Sequence, residues 1–135
     1  MNMLINIDVP DLEKAIRFYE GGLGLRQGRT LFSGAVAEML GSSPPIYLLS
    51  KAEGSAATED EAHARTYRRH WTPVHLDFVV SDLSTAIRRA QDAGAKLERG
   101  PEAFSWGHLA TLSDPFGHGF CLVQWSGRGY DEVTV

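Results

Sequence analysis

The chain has a single cysteine, no long apolar run and no surplus of positive charge. Each absence removes a class of explanation. One thiol, Cys121, cannot close an internal disulfide and excludes a thiolate-only zinc cluster within the chain, so any metal would be met by histidine, carboxylate or amide groups. No stretch approaches the roughly 20 apolar residues that cross a bilayer, and the start, "MNMLINIDVPDL", lacks the layout of a signal peptide. A membrane is therefore not an expected partner, and a cytoplasmic protein is expected. Against 17 acidic residues stand 13 Lys and Arg, a formal charge of -4, which offers no basic footprint for a phosphate backbone. Nucleic acid drops out as an expected partner, and small molecules remain.

What is present suffices for one ordinary core: 135 residues, 43% hydrophobic and 10% aromatic, a length that favours a single compact domain. Sliding the sequence along itself shows a repeat. "VPDLEKAIR" from Val9 falls on "VSDLSTAIR" from Val80, a shift of 71 residues with six identities in nine positions and no gap. Each copy begins in strand alternation, with Ile5, Ile7 and Val9 on one face and Leu76, Phe78 and Val80 on the equivalent one. Each then switches to helical spacing, through Leu12, Ala15, Ile16 and Tyr19 in the first copy and Leu83, Ala86, Ile87 and Ala90 in the second. Asp11 and Asp82 sit at the helix starts, where a carboxylate meets unpaired amides. Gly21 with Gly22, and Gly94, are the expected stops.

Three shorter apolar segments follow each helix. In the first half they are "LRQGR", "AVAEML" and "IYLLS"; in the second, "KLERG", "HLATL" and "GFCLVQW". The expected plan is an α+β domain of two tandem βαβββ units, the first spanning 4–51 and the second 73–125, with a polar linker over 52–72 and a tail over 126–135.

Two such units, with "V.DL..A..FY...LGL" in the first and "DPFGHGF" closing the second, resemble the vicinal oxygen chelate superfamily of glyoxalase I, bleomycin-resistance proteins and extradiol dioxygenases. The resemblance implies a curved, barrel-like sheet around a cavity with the helices outside. It also implies, in metal-dependent members, ligands from the first and last strands of each unit. His75 stands where the second unit would carry its histidine, but the same offset in the first unit falls on Leu4. Cys121 occupies the place of a glutamate, and the remaining corner falls on Tyr47 or Leu48. A catalytic zinc or iron needs about three protein ligands and an open position. The familiar quartet is thus incomplete, with His75 its one strong metal ligand.

Strand parity turns His75 and Asp77 away from the helix, together with Asn6 and Asp8 in the first unit. His75 and Asp77 are the candidate proton-transfer pair, a base beside an orienting acid leaning side by side, or else members of a polar network. Asn6, Asp8, Tyr47, Trp106, His108 and Cys121 are the candidate ligand contacts, with Trp106 and His108 expected to line the same pocket from a neighbouring strand. Glu38 reads as a surface acid beside a turn, and His118 as a turn residue. The function expected is a small-molecule-binding protein of the glyoxalase/bleomycin-resistance type, a homodimer without an obligatory cofactor. The alternative is a lyase, isomerase or dioxygenase using zinc, iron, nickel or manganese at a non-standard or dimer-completed site.

Overall fold

A computed structural model describes residues 1–135. The chain divides into two units, Met1–Arg68 and Arg69–Val135. In the first, β1 (Ile5–Val9) leads into α1 (Leu12–Leu23), then β2 (Arg26–Leu31), β3 (Val36–Leu40) and β4 (Ile46–Ser50). In the second, β5 (Leu76–Val79) leads into α2 (Leu83–Asp92), then β6 (Lys96–Phe104), β7 (Gly107–Ser113) and β8 (Gly119–Trp125). Each unit folds into a four-stranded mixed sheet, in the orders β1-β4-β3-β2 and β5-β8-β7-β6. The first strand pairs in parallel with the last, as a strand-helix crossover requires, and the other pairs are antiparallel. Both sheets are open, with edge strands on either side, so no closed barrel forms. No helix is long and apolar enough to cross a membrane.

The helices start where the acids stand. Asp11 accepts the amide of Lys14 and Asp82 that of Thr85, both at 3.0 Å, filling one vacant donor site at each N-terminus. The first stop differs from expectation. Gly21 and Gly22 lie inside α1, because the apolar stripe through Ala15, Phe18 and Tyr19 continues to a buried Gly22, and Gly24, at φ 73°, turns the chain out. Gly94 does follow the end of α2.

One face of each sheet carries the core. Val9, Ala37, Met39, Ile46 and Leu48 are fully buried in the first unit, and Ala110, Leu112, Phe120 and Leu122 are buried in the second. Each of the larger side chains contributes roughly 1.5–3 kcal/mol through removal from water. In the second unit the side-chain oxygen of Gln124 accepts the amide of Leu83 at 2.7 Å, which fixes this as the face beneath α2. Alternation then assigns the opposite, helix-free face: Asn6, Asp8, Glu38 and Tyr47 in the first unit, and Asp77, Thr111 and Cys121 in the second.

The connector is tied to the first unit. Arg65 reaches Asp8 at 2.7 Å and the Ala56 carbonyl at 2.7 Å, and the Tyr67 hydroxyl donates to the Lys51 carbonyl at 2.7 Å. A short 3-10 turn, Glu61–His63, interrupts it.

Candidate functional site

On the helix-free face of the second sheet, Asp77 lies beside Cys121 in the parallel register, and Cys121 lies opposite Thr111. His75 immediately precedes β5. Its Nε2 comes within 3.3 Å of Asp77 Oδ1, so the two side chains meet rather than merely lean in parallel. The donor atoms of His75, Asp77 and Cys121 all lie within 4.8 Å of one another. His75 and Asp77 remain about a third exposed, while Cys121 is 4% exposed. Burial pushes the Cys121 thiol up; the Thr111 hydroxyl, 3.7 Å from Sγ, opposes this, and the Asp77 carboxylate adds to the rise. Cys121 is therefore a neutral thiol at neutral pH, a small polarizable wall rather than a nucleophile.

Trp71 completes the group. Its ring lies tilted at 36° against the His75 imidazole, with the centroids 4.6 Å apart, and the Arg69 guanidinium lies 5.8 Å from its centroid. The contact depends on Gly119. A Cβ there would run into the Trp71 ring and come within 3.0 Å of Arg69 Nη2, so only glycine leaves the seat open. Trp71 is nevertheless 46% exposed, an apolar plane presented next to a polar pair.

The first unit repeats this arrangement with different chemistry. The 71-residue shift places Asn6 on Asp77 and Leu4 on His75, and the Asn6–Tyr47–Glu38 register matches Asp77–Cys121–Thr111. Tyr47, not Leu48, therefore takes the corner equivalent to Cys121. Leu4, 62% exposed, supplies no donor. Glu38 is no surface acid: it sits in mid-strand at 7% exposure. The Arg29 guanidinium grips it, with Nη2 at 2.6 Å and Nε at 3.1 Å, and Tyr47 donates its hydroxyl at 3.1 Å. Those bonds, Arg29 first, hold the Glu38 carboxyl down at about 2 against its burial. Gly28 makes room, since a Cβ there would stand 2.6 Å from Glu38 Oε1.

Two expected ligand contacts, His108 and Trp106, are placed elsewhere, and a third, Asp8, is already paired. Asp8 shares the helix-free face but spends its carboxylate on Arg65, anchoring the connector. His108 pairs with Gln124 across the β7–β8 ladder and so lies on the α2 face, where Ser126 Oγ stands 3.4 Å from its Nδ1. Trp106 lies in the β6–β7 turn. It stacks on Phe104 at 5.1 Å and packs against Trp125 and Tyr130. Its parity with His108 does not extend to Asp77, because the ladder puts Thr111, not His108, on that face. Thr111 and Arg29 carry no signal of their own in the sequence, Glu38 reads there as a surface acid rather than a substitute ligand, and Trp71 reads only as part of the entrance to the second unit. The usable signal for Trp71 was an aromatic four places before His75 with a glycine opening the last strand; Arg29 is joined to Glu38 only through the strand register.

The family model described as "Glyoxalase-like domain" matches residues 4–123. The anthracycline biosynthesis protein DnrV of Streptomyces peucetius is 29% identical over 107 residues, 79% of this chain but 35% of its own length. The chain thus spans about a third of that relative. Among solved structures, the fosfomycin resistance protein FosX of Listeria monocytogenes superposes with a TM-score of 0.71 at 17% identity, covering 99% of this chain and 98% of that one. TnmS3, an antibiotic binding protein from Streptomyces sp. CB03234, gives a TM-score of 0.64 at 22% identity, covering 93% of this chain and 96% of that one. On the match over 4–123 and the doubled βαβββ plan, the chain belongs to the glyoxalase-like family, within the vicinal oxygen chelate superfamily.

Proposed function

We propose that this chain is a small-molecule-binding protein, working in the cytoplasm as a homodimer, whose ligand rests against the helix-free face of the second sheet. The observation that carries the proposal is the pairing of Trp71 with His75 and Asp77 beside the buried Cys121. With Nε2–H donating to Asp77, the other ring nitrogen of His75 is an acceptor for a ligand hydroxyl. The Trp71 plane offers apolar stacking surface, and the neutral Cys121 and Thr111 line the sheet beneath. An apolar wall with a few convergent polar groups suits a planar, oxygenated aromatic compound. Support comes from the names of the relatives, one acting in anthracycline biosynthesis and another binding an antibiotic.

A second reading rests on the same three side chains. His75, Asp77 and Cys121 meet the count of protein ligands that a catalytic zinc, iron, nickel or manganese ion uses, although their donor atoms must draw closer than the observed separations of up to 4.8 Å. A bound ion would act as a Lewis acid on a substrate oxygen, in a lyase, isomerase or dioxygenase. The chain's own part would be to hold the ion through these residues and to keep the substrate against Trp71.

Two measurements on the full chain separate the readings. Thermal shift with an anthracycline is expected to stabilise the protein, by about 2.7 kcal/mol at a hundredfold excess over Kd. Elemental analysis after purification without chelator is expected to show no stoichiometric metal. A full equivalent that disappears in His75→Ala favours the metal reading.

A further inference from the structure

His70 and His118 directly precede Trp71 and Gly119 in the chain, yet nothing in the ligand proposal uses their imidazoles. The connector meets the β7–β8 turn through a parallel bridge between these two residues, with the His70 amide donating to the Gly117 carbonyl at 2.9 Å. The turn is itself rigid: Asp114, buried, accepts the amides of Phe116 at 2.8 Å and His118 at 3.0 Å. Both imidazoles are thus set by backbone bonds. They converge so that His118 Nδ1 stands 3.0 Å from His70 Nε2, with the rings at 78°.

We propose that His70 and His118 form a binding site for a divalent transition-metal ion of tetragonal preference, copper(II) or nickel(II), distinct from the His75–Asp77–Cys121 group. Two imidazole nitrogens 3.0 Å apart, each about 2.0–2.1 Å from a shared ion, subtend an angle near 95° at it. That is the cis angle of square-planar or tetragonal coordination, closer than the wider tetrahedral angle zinc prefers. Without an ion the two ring nitrogens are within hydrogen-bond distance of each other. With an ion, both nitrogens become ligands and water fills the remaining positions.

The local charge supports a cation. The Arg69 guanidinium, the nearest competing positive group in sequence, is engaged by Glu98 at 2.5 Å and 2.9 Å. The Asp114 carboxylate puts a negative charge beneath the turn that carries His118. The consequence for the neighbouring site is mechanical: an ion on His70 would fix the stretch that places Trp71 over His75.

The test is copper(II) titration of the full chain in a His75→Ala, Cys121→Ser background, which removes the other donor group, read by electron paramagnetic resonance and competition with glycine. The expected result is one equivalent bound with two-imidazole nitrogen coupling. Loss of that coupling and at least about tenfold weaker retention are expected in both His70→Ala and His118→Ala. Copper bound equally well by the two variants, or an absence of two-nitrogen coupling at one equivalent, overturns the site. Should His118→Ala fail to fold by circular dichroism, His70→Ala, outside every strand, carries the comparison.

Discussion

At Glu38, the guanidinium of Arg29, its backbone amide and the Tyr47 hydroxyl converge on one carboxylate. A carboxyl held at about 2, against an ordinary value near 4.5, favours folding whenever it is ionised. Its stabilisation is complete above the ordinary value and is lost as the pH falls from about 4.5 through 2. Glu38→Gln should therefore lower Tm at pH 7 and flatten the acid limb of the stability curve below pH 4.5, as urea unfolding across pH checks. Gly119→Ala carries the second residue-scale expectation. The added methyl meets the Trp71 ring, which must leave its seat on His75 while the sheet survives. A red-shifted tryptophan emission with a near-native far-ultraviolet spectrum is the expected pair of readings. At this scale the face that carries Asp77 is legible by alternation alone, since strand parity is a local property. The setting of Glu38 is not, because its burial depends on Arg29 arriving nine positions away across a bulged β2–β3 register.

The strand-helix-three-strand order, repeated, was legible because each segment carries its own period, 2 in the strands and 3.6 in the helices. Helix starts were legible for the same local reason, and Asp82→Ala should cost about 1 kcal/mol through the lost bond to the Thr85 amide, measurable by chemical denaturation. The end of α1 was not. A glycine pair is a stop only where the apolar stripe also ends, and here Gly22 belongs to the stripe. β6 likewise runs past Gly100 and Pro101 to Phe104, with shifts in its pairing to β7 that a local reading takes for a strand end. That extension carries Trp106 out to the aromatic cluster of Phe104, Trp125 and Tyr130 and away from Asp77. Leu122→Ala, at the centre of β8 beneath α2, should cost about 2–5 kcal/mol and mark the core face.

At the scale of the whole chain, one folding plan is used twice with different chemistry on equivalent positions. The Asp77–Cys121–Thr111 set in the second unit stands beside His75, whereas Asn6–Tyr47–Glu38 in the first stands beside Leu4 and is closed by Arg29. The repeat makes that asymmetry readable in the sequence alone, because a shift of 71 residues sets His75 against Leu4. The partner of each polar group was not readable, since Arg29, Arg65 and Trp71 reach their places only through the fold. On the function proposed above, a planar oxygenated aromatic ligand docks on Trp71, His75 and Asp77. The most direct measurement is isothermal titration of an anthracycline into the full chain and into His75→Ala and Asp77→Asn. Saturable binding at one site per chain, weakened at least about tenfold in both variants by loss of a paired polar contact, is the predicted result. Absence of saturable heat from the unaltered chain, or equal affinity in all three proteins, would contradict it.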